Sequence, residues 1–287
     1  MHTDKTDTRN SVRRESGGGG ETERRDRLVF RTVWLSDIHL GTRGCSAAFL
    51  LDFLRSVECE KLYLVGDIID FWALGWRPHW PQSHNNVVRT ILGKAKHGTE
   101  IIYVPGNHDE LIRDYAGSVF GNISIRSRAV HDTADGRRLL VLHGDEFDSV
   151  VRCSRMVCKL GSWSYGMLLE ANRLVNWIRR RLGWPYWSLA GSVKHKVKHA
   201  VNYISNFEQA VAYEARRAGV DGVVCGHIHH AEIRSIEDVL YLNCGDWVES
   251  CTVLVEHQGG DIELLNWVED AHSHKRLSDV ERLPAAA

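Results

Sequence analysis

An α/β fold built on two packed mixed β-sheets, with helices outside them, is what the sequence predicts, from three observations. Short runs of Val, Ile, Leu and Tyr recur along the chain, each bounded by glycine or polar residues. Segments with apolar residues at helical spacing separate several of these runs, and such alternation argues for an α/β core. The runs are also more numerous than one parallel sheet usually takes, so a second sheet is needed to accommodate them.

The first strand is expected at residues 30–35 and is followed by a helix over 47–57, where Phe49, Leu50, Phe53 and Leu54 recur at helical spacing. A second strand at 62–65, a helix at 86–97 and a third strand at 101–104 repeat the alternation. Residues 123–130 and 137–142 flank Ala134, Asp135 and Gly136, a hairpin signal, and the second of these runs contains a fourth strand at 139–142. A helix at 206–218 precedes a strand at 223–225, and residues 241–244, 251–257 and 262–268 read as consecutive strands.

With 287 residues, 43% of them hydrophobic and 25% charged, the chain has the composition of an ordinary globular protein with one substantial core. The expected organisation is a charged, glycine-containing tail at 1–26, one domain at 27–270 with an insertion at 150–205, and a flexible tail at 271–287. A net charge of −1 gives no global attraction for nucleic acid. The first residues lack the apolar centre of a secretory signal and no later stretch is apolar enough to span a bilayer, so a cytoplasmic location is expected. The 7 cysteines form no CxxC pair and read as reduced thiols rather than a disulfide framework or zinc ribbon.

The chemistry lies just downstream of the early strands. The first ends in Ser36-Asp37-Ile38-His39, the second in Gly66-Asp67-Ile68-Ile69-Asp70, the third in Gly106-Asn107-His108-Asp109, the fourth in His143-Gly144-Asp145, and a later one in Gly226-His227-Ile228-His229. Ligands of α/β sheets bind beyond the carboxyl ends of strands, so these clusters are expected to converge. Asp37 and His39 are two residues apart, as are His227 and His229, and in extended backbone each pair would face one side. Carboxylates, an amide and imidazoles without thiolates suit Mn, Fe or Zn. Taken singly, each piece is a capped strand end, a turn or a surface pair. Taken together and in order, they supply the ligands that two divalent cations need.

These residues resemble the calcineurin-like metallophosphoesterase superfamily, whose signature D-x-H, G-D-x-x-D, G-N-H-[DE], H and G-H-x-H is present between about residues 30 and 250. The resemblance implies a four-layer fold around the two sheets. It implies that Asp37, His39, Asp67 and His229 hold one metal and that Asp67, Asn107, His143 and His227 hold the other, with Asp67 shared. Within the superfamily the chain resembles UDP-2,3-diacylglucosamine diphosphatases of the lipid A pathway, through the stretch from Gly66 to Trp72, His143-Gly144-Asp145, Gly245-Asp246-Trp247 and a helical insertion after the fourth strand. Those enzymes carry Arg where His108 stands here. The resemblance implies Mn²⁺ above Fe or Zn, and a nucleotide-linked lipid as phosphoester substrate.

A metal pair acidifies a shared water and clamps the oxygens of an in-line displacement at phosphorus. His108, beside a ligand, is suited to donate a proton to the leaving oxygen or to stabilise charge in the transition state. Asp70 and Asp109 are expected to orient imidazoles or backbone, or to cap the helices that follow them. The insertion is rich in basic and aromatic residues, with Arg173, Lys194 and Lys198 among Trp163 and Trp177 and only Glu170 acidic. By resemblance it is a cap over the acyl chains, with a peripheral contact to the inner membrane's cytoplasmic face. Packing of a helical hairpin with a solvated basic face is the plainer alternative. The cluster Trp72, Trp76 and Trp80 with Pro78 and Pro81 would wall the pocket or simply pack as a loop. A different substrate within the superfamily and a non-catalytic binding scaffold are the competing functions, and a scaffold usually shows lost ligands, of which none is missing here.

Overall fold

Alternation along the first strand sets the layers. The computed structural model describes residues 28–148, Arg181 and 198–269. In β1 (Leu28–Leu35), Val33 and Leu35 face one way and Trp34 the other, as the two-residue period of a strand requires. Trp34 lies between two sheets, among Tyr63, Val65, Val141, Val224 and Leu242. Val33 and Leu35 pack instead against α1 (Ala47–Ser56) and α3 (Gln82–Lys96), through Leu50, Phe53, Val87 and Ile91. Each fully buried side chain of this size contributes about 1.5–3 kcal/mol to the folded state.

The first sheet has seven strands in the order β12 (Ile262–Asn266), β11 (Thr252–Glu256), β1, β2 (Val57–Val65), β3 (Glu100–Val104), β5 (Ile123–Ile125) and β4 (Val119–Phe120). Its centre, β1, β2, β3 and β5, is parallel, and β11, β12 and β4 run antiparallel to their neighbours. The second sheet has five, in the order β6 (Ala129–Asp132), β7 (Arg138–Val141), β8 (Gly222–Cys225), β10 (Val239–Asn243) and β9 (Glu232–Ile236). Its outer face is covered by α4 (Lys198–Ala218), whose Phe207, Val211 and Ala215 meet Leu140, Val223 and Cys225. Helices, sheet, sheet and helix thus form the four layers expected from the resemblance.

Several local expectations are corrected. Residues 123–130 do not form one strand: β5 joins the first sheet and β6 the second, so the chain changes sheet between them, and the hairpin is made by β6 and β7 alone. Phe49 lies off the buried face of α1 and is 49% exposed. The helix ends at Ser56, and β2 begins at once with Val57. Residues 71–76, read as part of an aromatic loop, form the short helix α2 (Phe71–Trp76). The edge strand β9 escapes a search for apolar runs because its residues are mostly polar and exposed. The two tails and almost all of the insertion lie outside the described residues, as do Trp163, Arg173, Trp177 and Lys194. Lys198 opens α4. Cysteines 45, 59, 225, 244 and 251 are free thiols, and among the described residues no helix is long and apolar enough to cross a membrane.

Candidate metal centre

β1, β2 and β3 of one sheet and β7 and β8 of the other end along a common edge, and each of the five motifs that contain the candidate ligands sits just past one of these ends. The backbone there is not extended. Asp37, His39, Asp67, His227 and His229 have φ of 51°, 53°, 54°, 69° and 53°, the left-handed region that non-glycine residues rarely occupy. The paired residues therefore face one centre through alternating left-handed turns, which corrects the expectation of extended Asp-x-His and His-x-His segments. Hydrogen bonds from Asp37 N to Gly66 O (3.1 Å) and from His39 N to Asp67 O (2.9 Å) hold two of these loops together. Two glycines make the approach possible. A Cβ on Gly66 would lie 2.2 Å from His143 Nδ1, and one on Gly226 would lie 2.4 Å from Asp37 Oδ2.

The donors fall into overlapping groups. Asp37, His39 and His229 form one, with His229 Nε2 3.1 Å from Asp37 Oδ1 and 3.3 Å from His39 Nε2. Asp67, His143 and His227 form another, with His143 Nε2 3.4 Å from Asp67 Oδ2. Asp67 joins the two, since its Oδ2 also lies 3.9 Å from His39 Nε2 and 3.9 Å from His108 Nε2. Buried polar atoms normally find a hydrogen-bond partner, yet among the described residues Asn107 Oδ1 has none, and Asp37 Oδ1 and His143 Nε2 meet only other residues of the cluster, His229 Nε2 and Asp67 Oδ2. Carboxylate and amide oxygens and imidazole nitrogens gathered at the same strand ends are the donor chemistry that divalent transition metals take, so these residues fit the metal pair.

Charge is compensated within the cluster. Burial opposes ionisation of Asp37, but the adjacent His229 imidazole holds its carboxyl down at about 2. Burial likewise opposes charge on His39, and the Asp70 and Asp67 carboxylates override it, pushing the imidazole up to about 9. Asp67 is held well below the usual carboxylate range, against burial, by His143 and His108. Imidazoles protonated in this way release their protons when a metal binds.

Asp70 and Asp109 act in different ways. Asp70 Oδ2 lies 3.1 Å from His39 Nδ1 and 2.9 Å from His108 Nδ1, while its Oδ1 accepts from Ala73 N (2.7 Å) and caps α2. It therefore both orients imidazoles and caps a helix. Asp109 gives the following 3₁₀ turn no side-chain cap. It accepts instead from Gly106 N (2.6 Å), Ile68 N (2.8 Å) and the Tyr103 hydroxyl (2.5 Å), binding the second and third loops together.

His108 packs against Trp72, with ring centroids 4.2 Å apart and ring planes tilted by 38°, and meets His39 edge-on at 4.7 Å. Two residues outside the candidate set also support the centre: Asp148, whose Oδ1 accepts from His227 Nε2 at 2.8 Å, and Ser36, whose hydroxyl donates to Asp37 Oδ2 at 2.5 Å. Ser36 adjoins a motif and was open to notice; Asp148 carries no local signal.

The family model of the calcineurin-like phosphoesterases matches residues 30–231. Among curated proteins the chain is similar to a UDP-2,3-diacylglucosamine hydrolase of Aliivibrio fischeri, at 24% identity over 77% of this chain and 92% of that one. Proteins of the same name from Aeromonas salmonicida (25% identity, 78% and 89% covered) and Neisseria meningitidis (25%, 75% and 88%) are similar as well. The signature, its convergence on one edge of two sheets and the extent of the family match lead to one conclusion: the chain belongs to the calcineurin-like phosphoesterase family.

Proposed function

We propose that this metal-dependent phosphoester hydrolase cleaves the diphosphate of UDP-2,3-diacylglucosamine with one water, giving UMP and 2,3-diacylglucosamine 1-phosphate. The observation that carries the reading is the set of buried atoms of metal-ligating type, Asp37 Oδ1, Asn107 Oδ1 and His143 Nε2, gathered at one edge of the sheets, where among the described residues they meet only one another's cluster or nothing. The names of relatives that match most of both chains supply the substrate class.

In this reading Asp37, His39, Asp67 and His229 hold one cation and Asp67, Asn107, His143 and His227 the other, with Mn²⁺ the preferred ion and Fe or Zn the alternatives. When bound, such a pair supplies Lewis-acid polarisation of the phosphoryl oxygens and a water of lowered pKa. The chain's own residues do the rest. Asp70 fixes the His39 ring by taking its Nδ1, which leaves Nε2 directed inward. The Trp72 ring and Asp70 hold His108 so that its Nε2 looks toward Asp67. From there His108 donates a proton to the leaving oxygen or stabilises its charge. The insertion at 150–205 covers the acyl chains, and its basic and aromatic residues give a peripheral contact with the inner membrane.

Incubation of the purified protein and Mn²⁺ with UDP-2,3-diacylglucosamine tests this, with release of UMP as the expected result. No UMP alongside clear hydrolysis of an aryl phosphodiester would overturn the substrate and favour a second reading, a sister branch acting on another ester. His108 itself motivates that alternative. A phosphate leaving group, with a second pKa of about 6, needs little protonation, whereas an alkoxide gains from a titratable donor. His108→Ala and His108→Arg are compared on a pyrophosphate and on an alkyl phosphodiester. If His108 serves esters, both changes cost more on the diester, and equal losses on the two substrates contradict that role.

A further inference from the structure

Arg43, Trp76, Arg77, Pro78 and His79 line an open cleft of ≈ 630 Å³. That volume is within the range of small-ligand sites, roughly 300–1,000 Å³. Two arginines, a histidine and an indole line it, with no carboxylate among its described lining residues. Trp76 is 83% exposed, an unusual state for the largest apolar side chain.

The position of the cleft follows from α2. Trp72, against which His108 packs, and Trp76 are four residues apart on this helix, so they share a face, and about 6 Å of axial rise separates them. The cleft thus begins one helical turn beyond His108. Arg43 comes from the loop that follows His39, and that loop is held against α2 and α3. Gly41 N donates to His84 Nδ1 (3.1 Å), and a Cβ at Gly41 would lie 2.8 Å from Leu74 Cγ. Both walls of the cleft are therefore tied to elements that carry centre residues.

We propose that this cleft is the subsite for the nucleotide half of the substrate, with the base stacked on the Trp76 indole and the nucleotide's phosphate held between the Arg43 and Arg77 guanidinium groups. The inference rests on the proposed cleavage of a nucleoside diphosphate-linked lipid, and it assigns each half of that substrate a side of the centre. Guanidinium forks match phosphate oxygens two at a time, and an exposed indole offers a face to any base. A phosphate alone would have no use for Trp76. An anionic bilayer surface would meet the same residues, but it would not need a concave site next to His108.

The test uses the full chain stripped of metal, so that binding is read without turnover. UMP, uridine and inorganic phosphate are titrated by calorimetry against wild type, Trp76→Ala and the double variant Arg43→Gln/Arg77→Gln. Stacking of this kind predicts UMP affinity weakened about tenfold in Trp76→Ala. The double variant should lose UMP and phosphate binding together, while phosphate binding is unmoved by Trp76→Ala. With Mn²⁺ restored, both variants should raise KM for UDP-2,3-diacylglucosamine. Wild type that binds no UMP, or variants that bind it unchanged, overturns the subsite, as does a defect confined to binding of phosphatidylglycerol vesicles. UMP binding that depends on Trp76 in a protein inert toward UDP-2,3-diacylglucosamine would instead overturn the substrate reading and leave the subsite standing.

Discussion

His227 has two ring nitrogens, and Asp148 decides which of them faces the centre. Its carboxylate takes Nε2 at 2.8 Å and also accepts from the Tyr203 hydroxyl at 2.9 Å, so Nδ1 is the nitrogen left for a metal. Partners of this kind fix the tautomer and ring angle of a ligand, and losing one typically costs about 10–100-fold in metal affinity. Asp148→Ala is expected to lower Mn²⁺ affinity by that order with little change in thermal midpoint, as read by chelator competition; unchanged affinity would remove Asp148 from the centre. The proposed ligands were legible as candidates because each falls in a short motif at a strand end. Asp148 was not, because 79 residues separate it from His227 and only the path of the chain after β7 brings them together.

At the scale of elements, α2 joins the centre to the cleft, and Asp70 is where the two meet. One carboxylate oxygen caps the helix at Ala73 N and the other faces His39 and His108. The two duties are separable. Asp70→Asn keeps a capping oxygen but loses the charge; Asp70→Ala loses both. Loss of a cap costs about 1 kcal/mol, so Ala should be less stable than Asn by about that amount. Both should weaken Mn²⁺ retention, because His39 loses the carboxylate that orients it. Thermal unfolding and metal content measured on the same samples check this, and metal retention equal to wild type in both variants would contradict it. The helix was hidden in the sequence because Gly75 and the flanking prolines read as loop. The break between β5 and β6 was hidden because both pieces are β-rich, and only packing shows that they enter different sheets.

For the whole molecule, the two sheets must stay in register for five strand ends to meet, and a buried polar tie helps to hold them. Glu256 on β11 of one sheet reaches His131 on β6 of the other at 2.8 Å, and it also accepts from Ala134 N (2.8 Å) and Arg31 (2.7 Å). Burial opposes its charge, but His131 and the Ala134 N–H hold the carboxyl down at about 2 from an ordinary 4.5. A carboxyl depressed in the folded state adds stability above its unfolded pKa and loses that contribution as pH falls through the folded one. Stability should therefore decline from about pH 4.5 toward 2, and Glu256→Gln should flatten that part of the profile while lowering neutral-pH stability by roughly 3 kcal/mol. Urea unfolding from pH 7 to 3 measures both, and a variant as acid-sensitive as wild type would refute the assignment. No sequence pattern announces this tie, since 225 residues separate Arg31 from Glu256. The layers, by contrast, were legible from the alternation of strands and helices. The central claim, that these ends together grip two cations, is tested most directly by metal stoichiometry after equilibration with Mn²⁺ and removal of unbound ion. Two equivalents per chain are predicted for wild type and fewer than one for Asp67→Asn, whose side chain joins both donor groups. Wild type that retains none, or an Asp67→Asn protein that keeps both, would contradict the account.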